Sequence, residues 1–204
     1  MNANIRTPWL GIAFTFLLLV PASAPAADNY TIDSEHSSII FKSLHFGTGH
    51  IYGRFNQFSG KFSVDAVKPS KSSVELEVKS ASVDTGNAKR DQHIKSPDFL
   101  NARQFPVISF KSTSAKKKDD HTAELVGDLT LHGITRSVKA QVRRIGSGKD
   151  PWGNQRLGVE TSFTIKRSDF GIKFMPEGVG DLIQVTLAAE GILQNKANKH
   201  ARAD

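Results

Sequence analysis

Apolar and polar residues alternate with a period of two along most of the chain, most clearly over residues 125–143. Leu125, Gly127, Leu129 and Leu131 share one face, and Val126, Asp128, Thr130 and His132 share the other, as in a strand buried on one side. Gly133 accepts a positive φ without steric cost, so His132-Gly133-Ile134-Thr135 should reverse the chain. Val138, Ala140 and Val142 then alternate with Ser137, Lys139, Gln141 and Arg143, completing a hairpin.

The same grammar predicts a short edge strand at 30–33 and a strand at 37–46, where Ile39, Phe41 and His45 oppose Ile40, Leu44 and Phe46. Gly47-Thr48-Gly49 breaks the run, and strands follow at 51–55, 58–64 and 73–83. In the second of these Phe58, Gly60, Phe62 and Val64 fall together. A glycine between two phenylalanines leaves room, as at a bend or where a guest approaches. Further strands are expected at 105–114, 157–166 and 181–193. Loops are expected at 116–121 and 147–155, and a glycine-rich irregular segment at 167–181. Residues 84–104 lose the alternation. Asp84 or Thr85 can cap a helix there, and Ser96-Pro97-Asp98 reads as a second helix start with Phe99 and Leu100 as its apolar foot.

About eight substantial strands at hairpin spacing, with one helical insertion, predict an all-β chain folded as an eight-stranded antiparallel barrel. Closing the sheet removes edges that would pair with other chains. Such a barrel is filled by its own side chains or holds one small ligand. The 13 phenylalanines, several beside glycine, favour a hollow interior, and a filled barrel serving a structural or stress-related interaction role is the alternative.

Composition sharpens this picture in three places. Residues 9–20 are apolar and uncharged, with Ala24-x-Ala26 after them. That order is a signal peptide over residues 1–26, too short for the roughly 20-residue span of a membrane helix. No cysteine is present, so the folded domain, expected at 27–194, must hold together by its own core. With the signal peptide, this suits a bacterial periplasm. The formal charge is +7, with Lys116-Lys117-Lys118, Arg143-Arg144 and a polar basic tail at 195–204 contributing. Solvated loops account for such charge, and anionic membrane lipid, met transiently, is its sharper partner. No nucleic acid is expected for an exported chain.

Six ordered motifs now stand out: Asp33-x-x-His36-Ser37-x-Ile39-x-Phe41 with His45 following, Arg90-Asp91-x-His93, Phe105-Pro106, Leu129-Thr130-Leu131-His132-Gly133-x-Thr135, Arg167-x-Asp169-Phe170-Gly171 and Val179-Gly180-Asp181. Through them the chain, from Tyr30 to about Leu193, resembles the YceI-like family of bacterial periplasmic lipid-binding proteins. The resemblance implies a lipocalin-like barrel with a helix closing one side and a tunnel for a polyisoprenoid or isoprenoid-quinone-like lipid. It implies no catalytic residues and no cofactor beyond the lipid. Ala88-Lys89 ahead of Arg90 and the basic tail depart from its pattern.

The face chosen as tunnel lining comprises Phe41, Phe55, Phe58, Phe62, Phe110, Leu129, Phe163, Ile165 and Val185, with ordinary core as the alternative for each. Periodicity defines a face without saying which face points inward. Candidates for the polar head are Arg90, Asp91, His93, His45, Arg167 and Asp169, since a guanidinium fork matches phosphate or carbonyl. The competing role for the Arg and Asp residues is tying irregular segments to the barrel. His36, His45, His50, His93 and His132 lack the close spacing of a zinc site, so no metal is expected. Neither a Gly-x-Ser-x-Gly elbow nor a phosphate or dinucleotide loop occurs. Acid-base chemistry at a mouth histidine is the remaining enzyme class. Carriage or sequestration of an amphiphile, by a monomer or homodimer, is the expected function.

Overall fold

The computed structural model describes residues 27–194, so the readings of the leader and of the basic tail lie outside the described residues. Ten strands are formed: β1 (Asp28–His45), β2 (Gly49–Phe55), β3 (Phe58–Val64), β4 (Ser73–Lys79), β5 (Val83–Asp84), β6 (Val107–Lys117), β7 (Thr122–Leu131), β8 (Ile134–Lys149), β9 (Gln155–Lys166) and β10 (Val179–Leu193). One α-helix, α1 (Ala88–Lys95), lies between β5 and β6.

All pairings described are antiparallel, and β10 pairs with β1 to close the sheet. β2 and β3 lie end to end against the two halves of β1, and β5 extends the line of β4. The ten segments therefore make eight staves of a closed antiparallel barrel. The short edge strand expected at 30–33 is instead the start of the 18-residue β1, which pairs on both sides. It had looked separate because residues 34–37 bulge out of register between Asp33↔Glu190 and Ser38↔Ala188, and a bulge interrupts the alternation.

Ser37 Oγ holds that bulge, donating to Asp33 O (2.6 Å) and accepting from Glu190 N (3.0 Å). Asp33 also takes hydrogen bonds from Glu35 N and Arg156 Nη1, and its Oδ2 meets His36 Nδ1 at 2.8 Å. Arg156 reaches Glu190 and Asp150 as well, joining β1, β9, β10 and the β8–β9 turn. The Asp33-x-x-His36-Ser37 motif thus builds a bend in a stave.

Consecutive staves run in opposite directions, so the connections between them sort into two ends. The helical end carries the 46–48 turn, residues 85–106 with α1, the His132-Gly133 turn and residues 167–178. The loop end carries residues 65–72, 118–121 and 150–154. His132 (φ 52) and Gly133 (φ 74) alone form the β7–β8 loop, the doubly left-handed turn that suits strand twist. Ile134 and Thr135 already belong to β8. His132 Nδ1 lies 3.1 Å from Phe170 O and its ring meets Phe105 edge-on, so this histidine fastens the turn.

The helix differs from expectation at both ends. Its cap is Asn87, whose Oδ1 accepts from Arg90 N at 3.0 Å, and Ser96-Pro97 ends it. Pro97 follows the Ser96 C-cap and cannot continue a helix. Phe99 and Leu100, in the turns beyond, pack against Leu131, Phe170 and Ile172. That cluster plugs part of the helical end. A second cluster, with Tyr30, Ile32, Phe62, Leu157 and Ala189 at its centre, lies toward the loop end.

Candidate functional site

Between the two clusters the barrel is hollow, with a cavity of about 780 Å³. Phe41, Phe55, Phe62, Phe110, Leu129, Phe163, Ile165 and Val185 all reach its wall, drawn from seven strands by the alternation of inward and outward side chains. Phe58 does not line it. It packs among Tyr30, Ile32 and Phe62, and the room above Gly60 is taken by Ile32 Cδ1 and Leu76 Cδ1, not by a guest.

Glycine sets how deep the rings lie. A Cβ on Gly53 would strike Phe41, one on Gly127 would strike Phe110, and one on Gly191 would strike Phe62. The tip of each ring occupies the space that a side chain would take at the glycine. Among the described residues no buried side-chain nitrogen or oxygen lacks a hydrogen-bond partner. The interior therefore presents apolar contact and shape, with no buried group requiring a polar guest.

The six head-group candidates fare differently. Arg90 lines the cavity, but its Nε and Nη2 donate to Thr85 Oγ1 (2.7 Å) and Thr85 O (2.8 Å). Asp91 accepts from Thr85 N and Oγ1, so the two residues lock the helix to the end of β5 through one threonine. His93 lines the cavity, pairs with Asp98 at 2.8 Å, and meets Phe99 and Phe174 edge-on. His45 lines the mouth at the end of β1 and is exposed, packed edge-on against Phe46.

Arg167 is buried, at 4% exposure. Its guanidinium donates to the carbonyls of Val179 (2.7 Å), Ile172 (3.0 Å), Gly180 (3.1 Å) and Met175 (3.5 Å). Burial pulls its pKa down, partly offset by Asp181. It pins the 167–180 crossover, which is why that irregular segment holds one shape. Asp169 is exposed and away from the wall, and Asp181 binds the segment instead, accepting from Ser168 N and Oγ.

The loop end of the cavity carries residues that the sequence did not mark as cavity lining, Lys116 and Arg144 having stood out only for their charge. Ser63, Asp65, Ser72, Lys116, Asp119, His121 and Arg144 line it there. Alternate hairpin turns of an up-and-down barrel must share an end, and that rule would have grouped the 65–72 and 118–121 loops. No group of three His, Asp or Glu residues able to hold a metal occurs among the described residues.

A family model described as the YceI-like domain matches residues 30–191. A UPF0312 protein of Ectopseudomonas mendocina (strain ymp) is 43% identical over 178 residues, 86% of this chain and 93% of the relative. Among solved structures, Burkholderia cenocepacia BcnA superposes with a TM-score of 0.72 at 21% identity, covering 78% of this chain and 98% of BcnA. A polyisoprenoid binding domain from Saccharophagus degradans superposes with a TM-score of 0.63 at 16% identity, covering 81% and 98%. At those two identities the likeness is one of fold. The family match spans the whole barrel, from the first residues of β1 to the last residues of β10, and with it the chain belongs to the YceI-like family.

Proposed function

We propose that this protein is exported to the periplasm and there binds, for carriage or sequestration, a polyisoprenoid or isoprenoid-quinone-like lipid, without changing it covalently. One observation carries the proposal: a cavity of about 780 Å³ walled by phenylalanine, leucine, isoleucine and valine inside a closed barrel. That volume falls in the upper part of the roughly 300–1,000 Å³ range of small-molecule sites. The Saccharophagus domain binds polyisoprenoid and has the same fold, which supports the ligand class without establishing it.

Each buried methylene contributes roughly 0.8 kcal/mol, so a long chain draws ample affinity from the bore and loses part of it to ordering. Selection then follows the match of chain to cavity. The free ring of His45 at the helical mouth is the polar contact left for a head group, because Arg90 and Arg167 spend most of their donors within the protein.

The test is organic extraction of purified protein followed by mass spectrometry, together with uptake of added ubiquinone and polyprenyl phosphate. Recovery of an isoprenoid lipid near one equivalent, or saturable uptake, is expected. Protein that yields no lipid and takes up neither probe would overturn the proposal.

A further inference from the structure

Eleven large apolar residues face solvent among the described residues, and six sit together at the helical end: Leu44, Phe46, Tyr52, Phe174, Met175 and Leu182. Their exposure runs from 37% at Met175 to 59% at Tyr52. Leu44, Phe46, Phe174 and Met175 gather on the 174–180 segment. Phe46 N donates to Gly178 O at 2.8 Å, and a Cβ on Gly178 would meet both Met175 Sδ (2.6 Å) and Phe46 Cε1 (3.0 Å). Leu44 lies against Gly180, and Phe174 sits on His93 and Phe99. Leu44, Phe46 and Met175 also line the cavity, so the patch is the rim of its helical mouth.

Two features set this rim apart. Phe46 (φ 47) and Met175 (φ 48) both hold left-handed backbone, a region that bulky side chains rarely take. Neither gains full burial in return. Three lysines are interleaved with the patch: Lys42 stands opposite Tyr52, Lys166 opposite Leu182, and Lys173 precedes Phe174. None joins an ion pair among the described residues; at the loop end Lys117 is held by Asp120 and Lys118 by Glu124, while Lys68, Lys71, Lys116 and Lys149 join none either. The loop end's exposed apolar residues are Val64 at the end of β3, Val67 in the loop after it, Ile145 in β8 and Trp152 in the β8–β9 turn.

We infer that the helical mouth seats on an anionic lipid bilayer. Phe46 and Met175 enter the headgroup layer, and Lys42, Lys166 and Lys173 lie on lipid phosphates. Apolar side chains set among lysines are the combination that holds a surface at an anionic interface. A ligand would then pass between bilayer and cavity past Leu44, Phe46 and Met175 without crossing water. The route rests on the lipid-binding reading, whereas the seating does not.

The experiment is flotation of the protein lacking residues 1–26 with phosphatidylglycerol-rich and with pure phosphatidylcholine vesicles, at low and high salt. The barrel closes within β1 to β10, so this form keeps every described strand. Binding to the anionic vesicles, weakened by salt, is expected. Phe46→Ser with Met175→Ser, and separately Lys42→Glu with Lys166→Glu and Lys173→Glu, should each lower the partition about tenfold. Trp152→Ser, at the far end, should leave it unchanged. All variants are checked for folding by circular dichroism. Wild-type protein that stays unbound, rim variants that bind as wild type does, or an equal loss in Trp152→Ser would each overturn the inference. Lipid extraction and uptake of ubiquinone and polyprenyl phosphate on the same samples separate the two proposals: vesicle binding by protein that yields no lipid and takes up neither probe sinks the function and leaves the seating intact.

Discussion

Phe110 lies against Gly127, and at that position a β-carbon would come within 2.6 Å of the Lys111 carbonyl as well as striking the ring. Backbone cannot yield, so Gly127→Ala should destabilise by about 1–3 kcal/mol, measured by urea unfolding. Gly53 differs, because the atoms nearest its absent side chain belong to Phe41 and Thr85 side chains. Phe41 has the cavity to swing into, so Gly53→Ala should cost little stability and reduce lipid uptake. Equal stability losses at the two glycines would refute the distinction. At Arg167, each carbonyl left without a donor costs about 1–3 kcal/mol, so Arg167→Met should be strongly destabilising. A variant as stable as wild type, with only its ligand uptake reduced, would make Arg167 a ligand residue after all.

At the level of elements, the bulge in β1 and the turn at 150–154 are bound by Arg156. Burial opposes ionisation of Asp150, but hydrogen bonds from Asn154, Arg156 and Trp152 N outweigh it and bring its pKa to about 2. Asp33 is likewise depressed: burial raises it, and hydrogen bonds from Arg156 and His36 more than reverse that. Carboxylates with lowered folded pKa values stabilise fully above their ordinary value of 3.8, and that contribution is lost as pH falls toward 2. Arg156→Gln should therefore lower the unfolding midpoint at pH 7, with the two proteins converging toward pH 2. Parallel curves over that window would show that the cluster does not contribute. The helix shows the limits of local signals in another way. Ser-Pro is a good start signal, yet a helix capped by Asn87 was already ending there, and which signal prevails depends on where the flanking strands stop.

For the whole molecule, closure and hollowness are separate properties with separate tests. Phe170, 2% exposed, fills the plug at the helical end, and Phe170→Ala should cost about 3–5 kcal/mol. Phe163 presents part of its ring to the cavity, so Phe163→Ala forfeits fewer contacts. It should cost clearly less and alter lipid uptake instead. The reverse order of stabilities would mean that the wall is packed and the cavity does not persist. The basic runs at 116–118 and 143–144 lie at the loop end, where Lys117, Lys118 and Arg143 meet Asp120, Glu124 and Glu160. Lys42, Lys166 and Lys173 around the apolar rim come from separate parts of the sequence, and folding groups them.

Period-two patterning was enough to specify most strands, their antiparallel order and which residues share a face, because side-chain direction in a strand follows from residue parity. Which face turns inward was decided when the barrel closed. Of the nine residues chosen as lining, eight now lie on the cavity wall. Parity could not say that Phe58 would pack against Ile32, or that rings would bed onto Gly53, Gly127 and Gly191, since those contacts join strands by register. Nor could it say that Arg90 would turn to Thr85, that Arg167 would gather four carbonyls, or that Leu44, Phe46 and Met175 would meet at one mouth. Such choices depend on which polar groups lose water together and which loops share an end, and both are settled when the barrel closes.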